Sequence, residues 1–488
     1  MTQTPFFTAW SNRFNPMGSR AAKLIRAVGS FTLCQLETCF TSWVPTDLFP
    51  KAARHQNSRD RDYTRQRTFW CMLWQSFNPA ASGREVVRQL QALFDLQDQP
   101  PLSPKDGAYC RAKARLPLDP FPAGLRATAK AADHLATSQP LLQARPIKVA
   151  DGSTLTLPDT PKNRAAYPPI PSGDTPTFPL LRFVALFSLL SGAIIAVAQG
   201  PWGISELALL HDLAAELSAH DILVGDRGFG SFPVIAWLKQ ILKVDFIGRT
   251  TRHVDGRRRL QRLGPNDWLL SWKKTPSCSS PWLSALQRAA LPALMTLRAV
   301  KGSCYQKGFR VRRLTVVTTL LDPELYPAQE ILQAYLRRWR LEMCLDDLKT
   351  SLQMECLRGR TPQMVCKELY TRLIAHNLIR CTMAQAAAEH RVPLERISFK
   401  GSLDALRHFT QAMARARSKA KRRRLWDLLL KTLAQDLVPE RPGRREPRAI
   451  KRKKNKYPRL NAPRHRFRDH PKRTVRAKNA RLRKLALM

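Results

Sequence analysis

The chain has 488 residues, 44% of them hydrophobic, which is enough for about three ordinary cores. Its 82 Lys and Arg against 37 Asp and Glu give a formal charge of +45, so composition points to a polyanionic partner bound with steep salt dependence, without separating DNA from RNA or an enzyme from a packaging protein. The 10 cysteines stand singly with no Cys-x-x-Cys pair, which speaks against a zinc finger or a disulfide framework, and the first residues lack a basic stretch leading into an apolar one, which speaks against secretion and for reduced thiols in the cytoplasm.

In chain order, the first part reads as helices over 20–39, 62–77, 83–95 and 107–115, broken at Pro45, Pro50, Pro79 and Pro100-Pro101. Two basic stretches containing a Tyr, Ser58–Arg67 and Tyr109–Arg115, suit a DNA-contacting helical face or a solvated one. Near residue 143 the pattern changes to strands. Ile147–Ala150 predicts a short strand that ends by delivering Asp151 into a Gly turn, and Ile222–Gly225 repeats the device with Asp226. Between them, Leu180–Leu190 and Ala193–Ala198 flank Ser191-Gly192 as a buried hairpin. A membrane helix is the rival reading, opposed by Arg182 and by the Ser-Gly break.

Further on, 232–243 predicts a helix, 244–249 a strand, and 308–320 a strand pair. The separator over 250–307 mixes Gly256-Arg-Arg-Arg259 and Lys273-Lys274 with Trp268, Trp272 and Trp282, as a DNA-gripping insertion would, although each Trp alone reads more simply as packing. The last third reads helical to about residue 436, with a dense basic run at Arg415–Arg424. Beyond Pro439, only Glu440, Glu446 and Asp469 offset about 20 cations, a composition that does not fold by itself.

The most informative stretch is Tyr335–Lys349. Tyr335, Arg338, Glu342 and Lys349 are spaced to share one helical face, while Leu332, Leu336, Leu341, Leu345, Leu348 and Leu352 supply an apolar stripe for packing. The plain alternative is a solvated helix with an Arg338–Glu342 ion pair. Together with Asp151 and Asp226, Glu342 completes a set of three carboxylates, two near strand ends, where open α/β sheets place their chemistry. Hard oxygen donors without His or Cys select Mg²⁺, with Mn²⁺ as a substitute, and cations are needed to keep three carboxylates ionised together. Two such ions about 3.5–4 Å apart suit in-line phosphoryl displacement. Asp346, one turn beyond Glu342, is a rival ligand, and Arg227 is a weaker nomination beside Asp226.

These residues carry a resemblance to the insertion-sequence family 4 DDE transposases, the relatives of the transposases of transposons five and ten. Asp151-Gly-Ser, Asp226-Arg-Gly-Phe and the ungapped signature Tyr335, Arg338, Glu342, Lys349 match the family, as do Leu155–Pro161 and Glu368–Arg380, over roughly residues 45 to 465. The resemblance implies an α/β fold: an RNase H-like catalytic core with a strand-rich insertion, preceded by a helical DNA-binding domain and followed by a helical, basic C-terminal region. Its bounds here are 1–142, 143–395 with the insertion at about 250–307, 396–437, and a basic tail at 438–488. It further implies that Asp151, Asp226 and Glu342 bind two Mg²⁺ ions. Tyr335, Arg338, Lys349 and Trp339 would then contact DNA, and a homodimer would pair terminal inverted repeats beside the nucleoid. End nicking, a hairpin intermediate and strand transfer follow as the expected steps. A DNA-binding derivative without catalysis and a basic RNA-binding protein are the alternatives.

Overall fold

The computed structural model describes residues 39–40, 42–50, 62–96, 100–137, 140–170, 177–250, 259–274, 280–304, 312–416 and 418–439. The expected helix over 20–39, all but its last residue, and the basic tail from 440 lie outside them.

Four helices open the described chain: α1 (Arg65–Phe77), α2 (Gly83–Leu96), α3 (Gly107–Arg115) and α4 (Pro120–Leu135). The Thr64 side chain caps α1 by accepting from the Arg67 amide, which satisfies one of the donors a helix start leaves unpaired. The sequence reading missed α4 because it treated prolines only as breakers. Pro120 and Pro122 both fall in the first turn, where no intrahelical donor is lost.

Among the described residues, nine strands then form one sheet: β1 (Ile147–Thr156), β2 (Leu180–Ser188), β3 (Ile194–Pro201), β4 (Ile222–Gly225), β5 (Asp245–Gly248), β6 (Arg259–Gly264), β7 (Asp267–Lys273), β8 (Leu294–Cys304) and β9 (Arg312–Thr318). Their order is β3-β2-β1-β4-β5-β9-β8-β7-β6. β1, β4 and β5 are mutually parallel, and the remaining neighbours pair antiparallel.

The stretch weighed as a membrane helix is the β2–β3 hairpin, its turn made by Gly192 at φ 72°, where a side chain would be strained. No described helix is long and apolar enough to cross a membrane. Two sequence expectations need correction. β1 does not end at Asp151 but runs on to Thr156, because β2 pairs with it the whole way. The strand pair expected at 308–320 is β8 with β9, so its first member lies inside the stretch read as a separator, where alternating apolar residues such as Met295, Leu297 and Ala299 face the core.

Four long helices follow: α5 (Ala328–Thr350), α6 (Pro362–His390), α7 (Phe399–Arg415) and α8 (Lys419–Gln435). One face of the sheet packs on these helices and on α1–α4, in a cluster that joins Val149, Val224 and Ile247 to Tyr335, Leu348, Leu373 and Phe69. The other face buries Ala150, Leu223 and Phe246 with Trp237, Trp268 and Trp272. The first helices and the sheet therefore share one continuous core. Cations of the later part of the chain fasten it: Arg358, between α5 and α6, donates to the carbonyls of Pro79, Ala80 and Ala81, and Arg407 of α7 to that of Phe77. The fully buried Lys367 donates to those of Lys113 and Ala114 at the end of α3.

Candidate active site

Strand register brings the two aspartates together. β1 and β4 pair as Ile147 with Ile222, Lys148 with Leu223, and Val149 with Val224. Continuing that register two residues sets Asp151 level with Asp226, the residue that follows β4. Side chains alternate along a strand, so Asp151 shares the face of Val149 and Leu155, the face that packs against α5. The backbone holds both carboxylates: Asp151 Oδ1 accepts from the Gly152 amide at 2.9 Å, and Asp226 Oδ1 from those of Gly228 at 2.8 Å and Phe229 at 3.4 Å. Such bonds fix a short acidic side chain in a turn.

The turn after Asp226 depends on Gly230, where a Cβ would lie 1.7 Å from the Arg249 carbonyl oxygen. The chain leaving β5 thus passes directly over the aspartate's loop.

Tyr335, Arg338, Trp339, Glu342 and Lys349 all lie on α5. Tyr335 and Arg338 are buried, at 3% and 7% exposure, so the helix is not solvated at these two positions. The Arg338 guanidinium sits 5.5 Å from the centre of the Tyr335 ring. Burial raises the pKa of the Tyr335 phenol, while Arg338 and Arg249 oppose the shift and Asp226 adds to it. Those influences bring the signature helix, the start of the segment after β5 and Asp226 into one electrostatic neighbourhood. Trp339 and Lys349 are half-buried. The side chain of Glu342 lies outside the described residues, although its backbone is helical. Among the described side chains, no three of His, Cys, Asp or Glu gather closely enough to hold a metal ion.

The rival Asp346 is exposed, whereas its neighbour Asp347 is half-buried. Burial raises the Asp347 pKa to about 7, with Arg380 opposing and Asp346 reinforcing the shift. Sequence spacing gave no signal for it, since Asp347 lies on neither stripe. Glu206, likewise unnoticed, lays its carboxylate against Gly152, where a Cβ would be 2.8 Å from Oε1. Of the tryptophans before the signature, Trp268 and Trp272 are core residues at 6% and 9% exposure. Trp268 is flanked by Arg259 at 4.4 Å and Lys301 at 4.9 Å from its ring centre.

The stretch Glu368–Arg380 is structural. Asn377 Oδ1 accepts from the Ile194 amide at 2.7 Å, and its Nδ2 donates to the Ile194 carbonyl at 2.9 Å, while Arg380 Nε donates to the Ser191 carbonyl at 2.7 Å. Glu368 Oε2 accepts from the amides of Arg358 and Gly359, and Arg372 donates to the Leu352 carbonyl, fixing the segment that leaves α5.

Comparison with known proteins gives this geometry a context. Residues 143–378 match the transposase DDE domain. The InsG transposase of insertion sequence element IS4 from Escherichia coli (strain K12) is 24% identical over 406 residues, covering 80% of this chain and 85% of that protein. The transposase of insertion sequence element IS421 from Escherichia coli is 24% identical over 190 residues, or 33% of this chain and 51% of that one. Among solved structures, a piggyBac transposase synaptic complex with hairpin DNA aligns over 84% of each chain, at 11% identity and a TM-score of 0.38.

Proposed function

We propose that this chain, which belongs to the DDE transposases of insertion-sequence family 4, moves its element by cutting and joining DNA at an active site made of Asp151, Asp226 and Glu342. The observation that carries this reading is the β1–β4 register, which levels Asp151 with Asp226 on the face where α5 packs. The β3-β2-β1-β4-β5 portion of the sheet, with its parallel trio, supports an RNase H-like core over 143–395, and β6–β8 support a strand-rich insertion within 250–307. On the same reading, 1–142 is a helical DNA-binding region, 396–437 a helical C-terminal region and 438–488 a basic tail.

The donor set fits Mg²⁺ or Mn²⁺: the aspartates offer carboxylate oxygens, with one oxygen of each steadied by backbone amides. Bound there, a pair of such ions would supply the charge that activates a nucleophilic oxygen and stabilises the departing one. The chain's own contribution is to position. The two aspartates are set by strand register, and Tyr335 lies buried within the field of Asp226 with the buried Arg338 against its ring, where a phenol and a guanidinium would orient a DNA phosphate. Lys349 and Trp339 would extend that contact along the strand. Nicking of the element's ends, a hairpin intermediate and strand transfer by a homodimer on paired inverted repeats, in the cytoplasm beside the nucleoid, complete the proposal.

The test is Mg²⁺-dependent cleavage of a labelled duplex carrying the inverted repeats that flank the gene, comparing wild type with Glu342→Gln. Cleavage at the repeat boundary that disappears in the variant while binding persists is the expected outcome. Binding without cleavage by either protein would favour a non-catalytic derivative, and tighter binding to structured RNA than to duplex DNA would remove the transposition reading for this copy.

A further inference from the structure

The chain enters β1 through a strained turn. Leu142, Gln143 and Ala144 sit at φ 51°, 61° and 56°, three successive residues in the left-handed region that side chains rarely adopt, and none of them is Gly or Asn. Such a conformation persists only where its surroundings fix it, and it gathers where position matters to function. The surroundings here do fix it. The Leu142 side chain is fully buried in the core that joins the sheet to the helices, and its amide donates to Glu330 Oε2 at 2.5 Å. Gln143 Nε2 donates to the Leu325 carbonyl at 3.1 Å, and Arg145 Nη1 to the Tyr326 hydroxyl at 3.0 Å.

Glu330 is suited to this bond by its place in α5. A Glu at the third position of a helix ordinarily reaches back to the amide of the N-cap residue. In α5 the N-cap is Pro327, which has no amide hydrogen to offer, and the carboxylate turns to another segment instead. That segment also holds the other parallel strands at their starts: the Pro146 carbonyl accepts from the Ile222 amide at 2.9 Å, and Arg145 Nη2 donates to Asp245 Oδ2 at 2.7 Å. Residues 142–146 thus clasp the beginnings of β1, β4, β5 and α5, and three of these elements lead to Asp151, Asp226 and Glu342. Glu342 lies twelve residues beyond Glu330, about 18 Å along a helix, so a tilt of about 5° at the clasp would move it by about 1.6 Å. A shift of about 1 Å at reacting groups is enough to cost about a hundredfold in rate.

We propose that Glu330 is a positioning residue for DNA cleavage: by holding the Leu142 amide it fixes the left-handed turn, and with it the placement of α5 against β1 and of Glu342 against Asp151. The inference rests on the reading of Asp151, Asp226 and Glu342 as the active site. Glu330 touches neither DNA nor metal in this role, and what it needs is an acceptor oxygen at the right reach, not a charge.

The test compares full-length wild type with Glu330→Gln, Glu330→Asp and Glu330→Ala. Single-turnover cleavage of the end duplex at saturating protein and Mg²⁺ is measured beside duplex affinity, thermal midpoint and exchange of the Leu142 amide without metal. Glu330→Gln keeps an oxygen at the same reach and should stay within about threefold of wild type. Glu330→Ala should cut about a hundredfold more slowly, with duplex affinity unchanged and Leu142 protection lost. Glu330→Asp keeps the charge but falls one methylene short, and should lose at least about tenfold even if Glu330→Ala does not fold. Wild-type rates in Glu330→Asp, an equal loss in Glu330→Gln, a loss that only tracks the fraction of folded protein, or an unprotected Leu142 amide in wild type would each overturn the proposal. Such a failure leaves the contrast between wild type and Glu342→Gln in duplex cleavage intact. Failure of the active-site reading would instead erase that contrast, and this role for Glu330 with it, while the Leu142 protection remained.

Discussion

Removing the Asp267 carboxylate tests how β7 and β8 position α5. Arg298 of β8 is fully buried, and Asp267 of β7 is 5% exposed. Arg298 Nε donates to Asp267 Oδ1 at 2.9 Å and Oδ2 at 3.1 Å, and Nη2 donates to Oδ2 at 2.6 Å. On its other side, Nη1 donates to the carbonyls of Asp322 at 3.2 Å and Tyr326 at 2.7 Å, in the loop that leads into α5. In Asp267→Ala the guanidinium stays buried without its counter-charge, which costs about 3–5 kcal/mol. The lost attraction at such contact distances in a protein interior, about 4 kcal/mol, gives the same size. Asp267→Leu with Arg298→Met removes both charges and should recover much of that loss, leaving about 1–3 kcal/mol for the two orphaned carbonyls. Urea denaturation of wild type, Asp267→Leu, Arg298→Met and the double variant closes a double-mutant cycle that gives the coupling, and hydrogen exchange over 320–331 should rise in both variants that lose Arg298. A loss below about 1 kcal/mol in Asp267→Ala, the range of an exposed pair, would refute the claim that this ion pair is desolvated.

Gly230→Ala should unfold the Asp226 turn or cost at least about 2 kcal/mol, because its Cβ would collide with the Arg249 carbonyl at 1.7 Å. Gly203→Ala, which meets nothing within 4 Å, should change the melting free energy by less than about 0.5 kcal/mol in the same scan. His376 is fully buried against Phe399, and burial with the Arg380 charge lowers its pKa from 6.5 to about 3. Its unfolded form therefore binds the extra proton between those values, so its contribution is present above pH 6.5 and is lost as pH falls towards 3. Asp347, raised from 3.8 to about 7, works in the opposite sense, its contribution being present at low pH and lost as pH rises through 7. For that reason the informative quantity is the difference between wild type and His376→Phe in urea. It should shift in the variant's favour by about 2 kcal/mol between pH 7.5 and 5.0, and no shift would show that His376 meets water.

What the sequence made legible were features written in short-range pattern. The apolar runs ending at Asp151 and Asp226, the Ser191-Gly192 turn and the helical stripe around Tyr335 each follow from period and turn chemistry over a few residues. What it hid depends on partners far along the chain. β1 looks finished at Gly152, and only its pairing with β2, whose residues 180–188 are distant in sequence, carries it to Thr156. Asp347 and Glu206 acquire their settings from Arg380 and Gly152, contacts that no periodicity announces.

The same distinction explains why the phrase Glu368–Arg380, which matches the family beside the signature, acts as a fastening. A residue type reports its chemistry, not its address. Asn377 and Arg380 both carry groups suited to phosphate, yet they spend their hydrogen bonds on the backbone of Ile194 and Ser191, closing the β2–β3 hairpin. That hairpin supplies the antiparallel neighbour which lets β1 continue past Asp151. A change at Asn377 would therefore act on Asp151 through the strand that holds it, with no group removed from the site. Asn377→Leu keeps similar volume but strands the amide and carbonyl of Ile194, so about 1–3 kcal/mol of stability should be lost. Hydrogen exchange of β3 amides should rise more than that of β4. Equal exchange in the two strands would mean that the hairpin stands without Asn377, and the fastening role assigned to this phrase would fall with it.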